Sequence, residues 1–311
     1  MVNYSAYQLI ISSELMLPEL TPVEGSVEDL ITIERPHISI VFGYARRESA
    51  PYPIVEGLYY HLQPEACWLE IPNIARFLVN QGRQIIVEPF PGIDEDSVRL
   101  FLYTVCFPLV LIYHNFFVLH GAAMNWGGRG VAFLAEFGLG KSTLLASFLH
   151  LNRDYGFISD DICVLNREGM MLPGFPYLQL REDAIKKFDI DPTTLKLMRP
   201  QVKKWCVPVQ QAFYPQPVLL NMVYILNPTN RPDMQLTPLF GLKKVQFLKK
   251  YTYQPMFIKG LGKERFYFHQ CAALAARIKT TYVERAKHGL SWHECANVIE
   301  QDLQSRALAC Q

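Results

Sequence analysis

The chain has 311 residues, half of them hydrophobic and 19% charged. That is ample apolar material for a packed core, and it excludes an intrinsically disordered chain. Thirty Lys and Arg against 29 Asp and Glu leave a net charge of +1, so no global field points to nucleic acid or an anionic membrane as a principal partner. The seven cysteines are scattered without a C-x-x-C pair, the pattern of reduced, mostly buried thiols in a cytoplasmic protein rather than of a disulfide framework or a zinc site.

The first residues, MVNYSAYQLIISSELMLPEL, lack a basic region and carry Glu14 and Glu19; they do not read as a signal peptide. Residues 1 to about 93 break into short β-branched and aromatic runs: AYQLIIS, ITIERPHISIVFGYA, GLYYHLQ, CWLEI and RQIIVEPF. These predict a β-rich N-terminal domain, in which IPNIARFLVNQG reads as a turn or another strand. Two prolines and a glycine in PFPGID mark a boundary, giving domains 1–93 and 94–311. DEDSVRLFLYTVCFPLVLIYH then opens on acids and continues apolar, as a helix does from its N-terminus. Pro108, His114, Asn115 and His120 interrupt the apolar stretch 101–124, which predicts a buried helix and then a buried strand rather than a membrane span.

Next come FFVLHGAAM as a strand, NWGGRG as a hairpin turn and VAFLA as a second strand. KSTLLASFLHL reads as a helix, with Leu144, Phe148 and Leu151, and Leu145 and Leu149, at helical spacing. YGFISDDICVLN reads as a third strand. Residues 171–222 are Pro-rich and read as irregular, up to a buried strand in LLNMVYILNP. KVQFLKKY, CAALAARIKTTYVERA and HECANVIEQDLQ read as closing helices.

The segment AEFGLGKST, Ala135 to Thr143, approaches the pattern G-x-x-x-x-G-K-[ST] with Ala135 in place of the first glycine. A strand before it, a helix after it, and Gly138 and Gly140 inside it supply the close backbone approach an anion requires. The cradle consists of main-chain amides, so Ala135 is tolerated where its φ is negative. Gly138, Leu139, Gly140, Lys141, Ser142 and Thr143 are the candidate nucleotide-binding residues. Lys141 would reach the β- and γ-phosphates, and Ser142 would place its hydroxyl on Mg²⁺. Asp160 and Asp161, inside the apolar run FISDDICVL, are costly to bury without a cation or partners. On a continuous strand they would point to opposite faces and take different roles; the alternative is a strand ending in a turn that an aspartate caps.

VLHGAAM, GVAFLAEFGLGKSTLLASFL and YGFISDDICVL together resemble the HPr serine kinase superfamily. The chain looks most like the divergent HPr-kinase-like proteins encoded with lasso peptide and related peptide-biosynthesis genes. The resemblance implies an α/β fold with a P-loop kinase core of the HPr kinase/PEP carboxykinase-like type, and ATP and Mg²⁺ as cofactors. It implies phosphorylation of a serine hydroxyl on a peptide partner such as a lasso precursor. Carried over, Lys141 and Ser142 bind phosphates and Mg²⁺, Asp160 is the general base, Asp161 lies near the metal, and His120 lies near the transferred phosphoryl group. Phe137 stands where the family carries a small polar residue, and Glu136 is also unusual. An E-x-R-G-like run after the aspartates is replaced by LPGFPYLQLRED. The departures keep a catalytically weakened nucleotide sensor or peptide scaffold, and a small-molecule kinase, as alternatives. Arg181, Lys203 and Lys204 read equally as phosphate or peptide contacts and as solvated surface charges.

Overall fold

The computed structural model describes residues 1–25, 27–30, 35–46, 54–55, 58–151, 155–199, 203–231, 233–286 and 291–308. Among the described residues nine strands form the N-terminal sheet: β1 (Val2–Ala6), β2 (Leu9–Ser13), β3 (Thr21–Pro22), β4 (His37–Phe42), β5 (Ile54–Val55), β6 (Leu58–Leu62), β7 (Ala66–Ile71), β8 (Ala75–Asn80) and β9 (Gln84–Pro89). Their order is β3-β1-β2-β4-β9-β8-β7-β6-β5. IPNIARFLVNQG supplies β8, whose Ala75, Phe77 and Val79 point inward at period two while alternate residues stay half-buried. A short helix α1 (Val27–Leu30) lies between β3 and β4.

Helix α2 (Glu95–Phe101) starts where the acids predict: Asp94 caps it by accepting from Ser97 N at 2.7 Å. It runs through a π-helical turn, Leu102–Cys106, into α3 (Phe107–Tyr113). Pro108 has no N–H for the carbonyl of Thr104, and Tyr253 Oη donates to that carbonyl at 3.0 Å instead. The helix Glu95–Tyr113 is long and apolar enough to cross a membrane by length and composition, and 72% of its most apolar window is buried inside the protein. Tyr103 Oη donates to the buried Glu19 at 2.8 Å, and Arg99 and Lys196 pair with the same carboxylate.

The remaining strands are β10 (Phe117–Trp126), β11 (Arg129–Leu134), β12 (Gly156–Ser159), β13 (Ile162–Leu165), β14 (Met170–Leu172), β15 (Tyr177–Arg181), β16 (Lys196–Arg199), β17 (Lys204–Pro208), β18 (Val218–Thr229), β19 (Gln235–Leu239) and β20 (Lys279–Ala286). The predicted hairpin joins β10 to β11, with Trp126 opposite Arg129. Two long strands serve two layers. β10 pairs with β13 through Phe117–His120 and with β11 through Gly121–Trp126. β18 pairs with β14 at its start, then runs parallel to both β11 and β20. A separate three-stranded sheet has the order β15-β17-β16. The helices of this part are α4 (Lys141–Leu151), α5 (Glu182–Lys187), α6 (Leu242–Lys250), α7 (Pro255–Gly260), α8 (Glu264–Arg277) and α9 (Trp292–Leu308).

The fold is thus mixed α/β with large sheets, and it corrects two expectations. Region 171–222 is not irregular, because Pro173 and Pro176 lie between strands and Pro208 ends one. KTTYVERA is strand β20 rather than helix, because its β-branched and aromatic residues register against β18. One apolar cluster runs from Tyr4 to Ile278, continuous across residue 93. A second, including Phe133, Leu144, Phe148 and Ile299, packs β11 against α4 and α9. Among the described residues six cysteines are buried and none forms a disulfide.

Candidate functional site

The loop Ala135–Gly140 leaves the end of β11 and turns into the N-terminus of α4. β11 lies between β10 and β18, which fixes the loop's root. Gly138 (φ 78°) and Gly140 (φ 88°) adopt the left-handed backbone that glycine allows at little cost. Ala135 is outside the left-handed region, so its methyl carries no such strain. Gly140 also lies under Trp292, where a Cβ would come within 2.0 Å of Cη2.

Lys141 is 6% exposed. Its Nζ donates to Ala135 O at 3.0 Å and Glu136 O at 3.2 Å, folding back over the loop. Burial pushes its pKa down to about 8, against the opposing pull of Asp161 and Asp160. Ser142 Oγ donates to Asp160 Oδ1 at 2.8 Å, and the Gln179 amide donates to Asp160 Oδ2 at 2.9 Å. Burial raises the Asp160 carboxyl above its usual range, with Lys204 the main charge acting against it.

The two aspartates do not lie on one strand. YGFISDDICVLN splits into β12 and β13, and Asp160 and Asp161 form the corner, with Asp161 left-handed at φ 69°. The strand-alternation expectation is therefore corrected, although the two carboxylates do part. Asp161 Oδ1 lies 3.4 Å from His120 Nε2 and 3.8 Å from Lys204 Nζ. His120 stands on β10 at the residue paired with Ile162.

Lys141, Ser142, Thr143, Gly138, Gly140 and Asp161 line one cleft of about 280 Å³. Leu139 packs on the second apolar cluster instead. Arg181, Lys187, Lys204 and Arg285 also face the cleft, against Asp161 and Asp183 as its acids. A wall this rich in cations suits a polyanion. Lys204 is 5% exposed and lies 5.8 Å from the Phe137 ring centroid, whereas Lys203 is exposed and pairs with Glu182. Sequence reasoning left these neighbours undivided. It missed Gln179, Lys187, Arg285 and Trp292, which reach the cleft from distant segments. Arg285 stacks on Trp292 at 4.1 Å.

Glu136 turns away from the cleft and pairs with Lys250 at 2.7 Å, which lowers its pKa. Phe137 is 51% exposed. Gln179 Oε1 is buried without a hydrogen-bond partner. With Ser142 Oγ and the carboxylates of Asp160 and Asp161 it makes an oxygen-only donor set, which fits Mg²⁺ held by few protein ligands plus phosphate and water. Among the described residues no group of three or more His, Cys, Asp and Glu is placed to hold a metal.

No family model matches the chain, and no curated protein matches it. Among solved structures it is similar to the Hpr(Ser) kinase/phosphatase from Coxiella burnetii, at 13% identity and TM-score 0.33, over 62% of this chain and 97% of that one.

Proposed function

We propose that the chain is an ATP- and Mg²⁺-dependent kinase. It acts in the cytoplasm on a serine hydroxyl, with a peptide such as a lasso-type precursor as acceptor and with no nucleic acid or membrane partner. One observation carries this: a strand, two left-handed glycines and a helix N-terminus bring buried Lys141 and the Ser142–Asp160 pair to a cleft lined by four further cations. Backbone amides of Gly138–Thr143 would hold the phosphates, and Lys141 would exchange its loop carbonyls for phosphate oxygens. Mg²⁺, when bound, would neutralise charge on the β- and γ-phosphates, held through Ser142 and one of the two aspartates. Lys204 and Arg181 add charge where the transferred group gathers it. One carboxylate accepts the serine proton as its oxygen bonds to the γ-phosphorus; the bond to the β-phosphate oxygen breaks and ADP leaves. His120, beside Asp161, stands near the transferred group.

The alternative of a weakened sensor draws on Ala135, Glu136 and Phe137 in the loop. Glu136 no longer supports it, since that carboxylate pairs outward with Lys250. The test is to incubate the protein with Mg²⁺ and γ-labelled ATP and a serine peptide, with the matching alanine peptide alongside. Label on the serine peptide alone supports the kinase; ATP binding without transfer to any hydroxyl supports the sensor.

A further inference from the structure

We infer that the acceptor enters by a second cleft across the Phe137–Asp161 wall from the triphosphate, with its hydroxyl at Asp161 and a bulky apolar group beside that hydroxyl in the groove beyond Thr252 and Pro255, an assignment that rests on the kinase reading above. The second cleft holds about 330 Å³ and takes in His120, Lys250, Tyr253 and Gln254. Among the described residues only Phe137 and Asp161 line it and the phosphate cleft alike. Displacement at phosphorus is in line, so the incoming oxygen and the leaving ADP need opposite approaches. Two clefts that meet at one carboxylate supply them.

The geometry also divides the aspartates. Asp160 is held by Ser142 and the Gln179 backbone amide and does not line the second cleft. Asp161 does, next to His120. Asp161 is therefore the group that takes the acceptor proton, and Asp160 stays with Ser142 on the metal side. This reverses the order carried by the family resemblance.

The second cleft is a built feature. His120 N donates to Tyr251 O at 2.8 Å and Tyr253 N to Val118 O at 2.9 Å, so residues 251–253 are stitched to β10. Tyr253 is anchored below by the Thr104 carbonyl that Pro108 leaves free. Gln254 holds a left-handed conformation (φ 47°, ψ 65°) at the start of α7, strain of the sort that surrounding structure must enforce. Thr252 and Pro255 then line an adjoining groove of about 450 Å³, whose floor includes Ile258, Tyr267 and Cys271 and whose rim is Phe268, 57% exposed. Continuity with the acceptor cleft makes the acceptor's own apolar group the occupant.

The test separates binding from turnover. Fluorescent serine peptides, in which one phenylalanine is walked past the serine, are titrated by anisotropy with a non-hydrolysable ATP analogue and Mg²⁺ present. At one spacing the phenylalanine peptide binds about tenfold more tightly than its alanine counterpart. Phe268→Ala removes that gain without changing affinity for the analogue, and Phe240→Ala, at an exposed phenylalanine elsewhere, does not. Equal affinity for all peptides, or indifference to Phe268→Ala, overturns the groove. In transfer assays Asp161→Asn abolishes turnover while MgATP affinity holds, and Asp160→Asn weakens the Mg²⁺ dependence of ATP binding; the opposite pattern overturns the division. Groove-dependent binding with no transfer by the wild type sinks the kinase reading and leaves the groove. Transfer without groove dependence does the reverse.

Discussion

Gly140→Ala perturbs the phosphate loop through a single methyl group. At φ 88° an alanine costs about 1–2 kcal/mol of left-handed strain. Its Cβ would also lie 2.0 Å from Cη2 and 2.3 Å from Cζ2 of Trp292. That ring cannot simply slide away, because Arg285 stacks on it and it begins α9. Relief by shifting packed groups costs about 1–3 kcal/mol, so the variant should lose about 2–5 kcal/mol. Urea unfolding and ATP titration divide that loss between the fold and the bound state. Trp292→Ala in the same background removes the collision but not the strain. The double-mutant cycle should therefore show a coupling of about 1–3 kcal/mol. A Gly140→Ala protein with wild-type midpoint and ATP affinity, or a cycle with no coupling, refutes the placement of the loop under Trp292.

On the proposed reading, Lys141 should make ATP binding pH-dependent. Its folded pKa of about 8 lies below the unfolded value near 10.5, so between the two the unfolded chain binds more protons and this group's contribution to stability rises with pH. Binding runs the other way, because phosphate needs the ammonium: affinity should fall as pH rises through about 8, toward tenfold per pH unit, with proton uptake visible by calorimetry in different buffers; a flat profile contradicts this. Tyr103→Phe removes the hydrogen bond to Glu19 and should cost about 1.5–3 kcal/mol in urea unfolding, whereas a cost under about 0.5 kcal/mol leaves the Glu19 cluster without weight. Glu136→Gln breaks the exposed pair with Lys250 and should leave ATP affinity unchanged at moderate salt; a marked gain in affinity means that the carboxylate faces the phosphates after all.

The legible parts of the site are local. The hairpin at Gly127–Gly128, β11, the loop and α4 follow one another in the chain, and each carries its own pattern of glycines or apolar spacing. Adjacent aspartates also read as a strand ending in a turn, and the corner at Asp160–Asp161 is that turn, although the apolar residues around it favour a continuous strand. It exists because β12 pairs with the second half of β10 and β13 with the first, a long-range fact with no local signature. β20 was hidden for a like reason: AALAAR leads into it as helix, and only pairing with β18 makes KTTYVERA a strand. Lys203 and Lys204 are adjacent and alike as letters. The start of β17 at Lys204, opposite Arg181 on β15, sends one inward and leaves the other in water. Gln179, Arg285 and Trp292 meet only in three dimensions.

The central claim is that Lys141 anchors a nucleotide whose terminal phosphate is transferred. The most direct measurement titrates wild type and Lys141→Ala with MgATP, alongside unfolding curves to confirm that both are folded. Loss of charge-assisted contacts to phosphate is worth about 1.5–3 kcal/mol, so the variant should bind ATP roughly ten- to hundredfold more weakly and transfer no label to a serine peptide. A folded Lys141→Ala protein that binds MgATP as tightly as the wild type, or that still labels the peptide at the wild-type rate, contradicts the account.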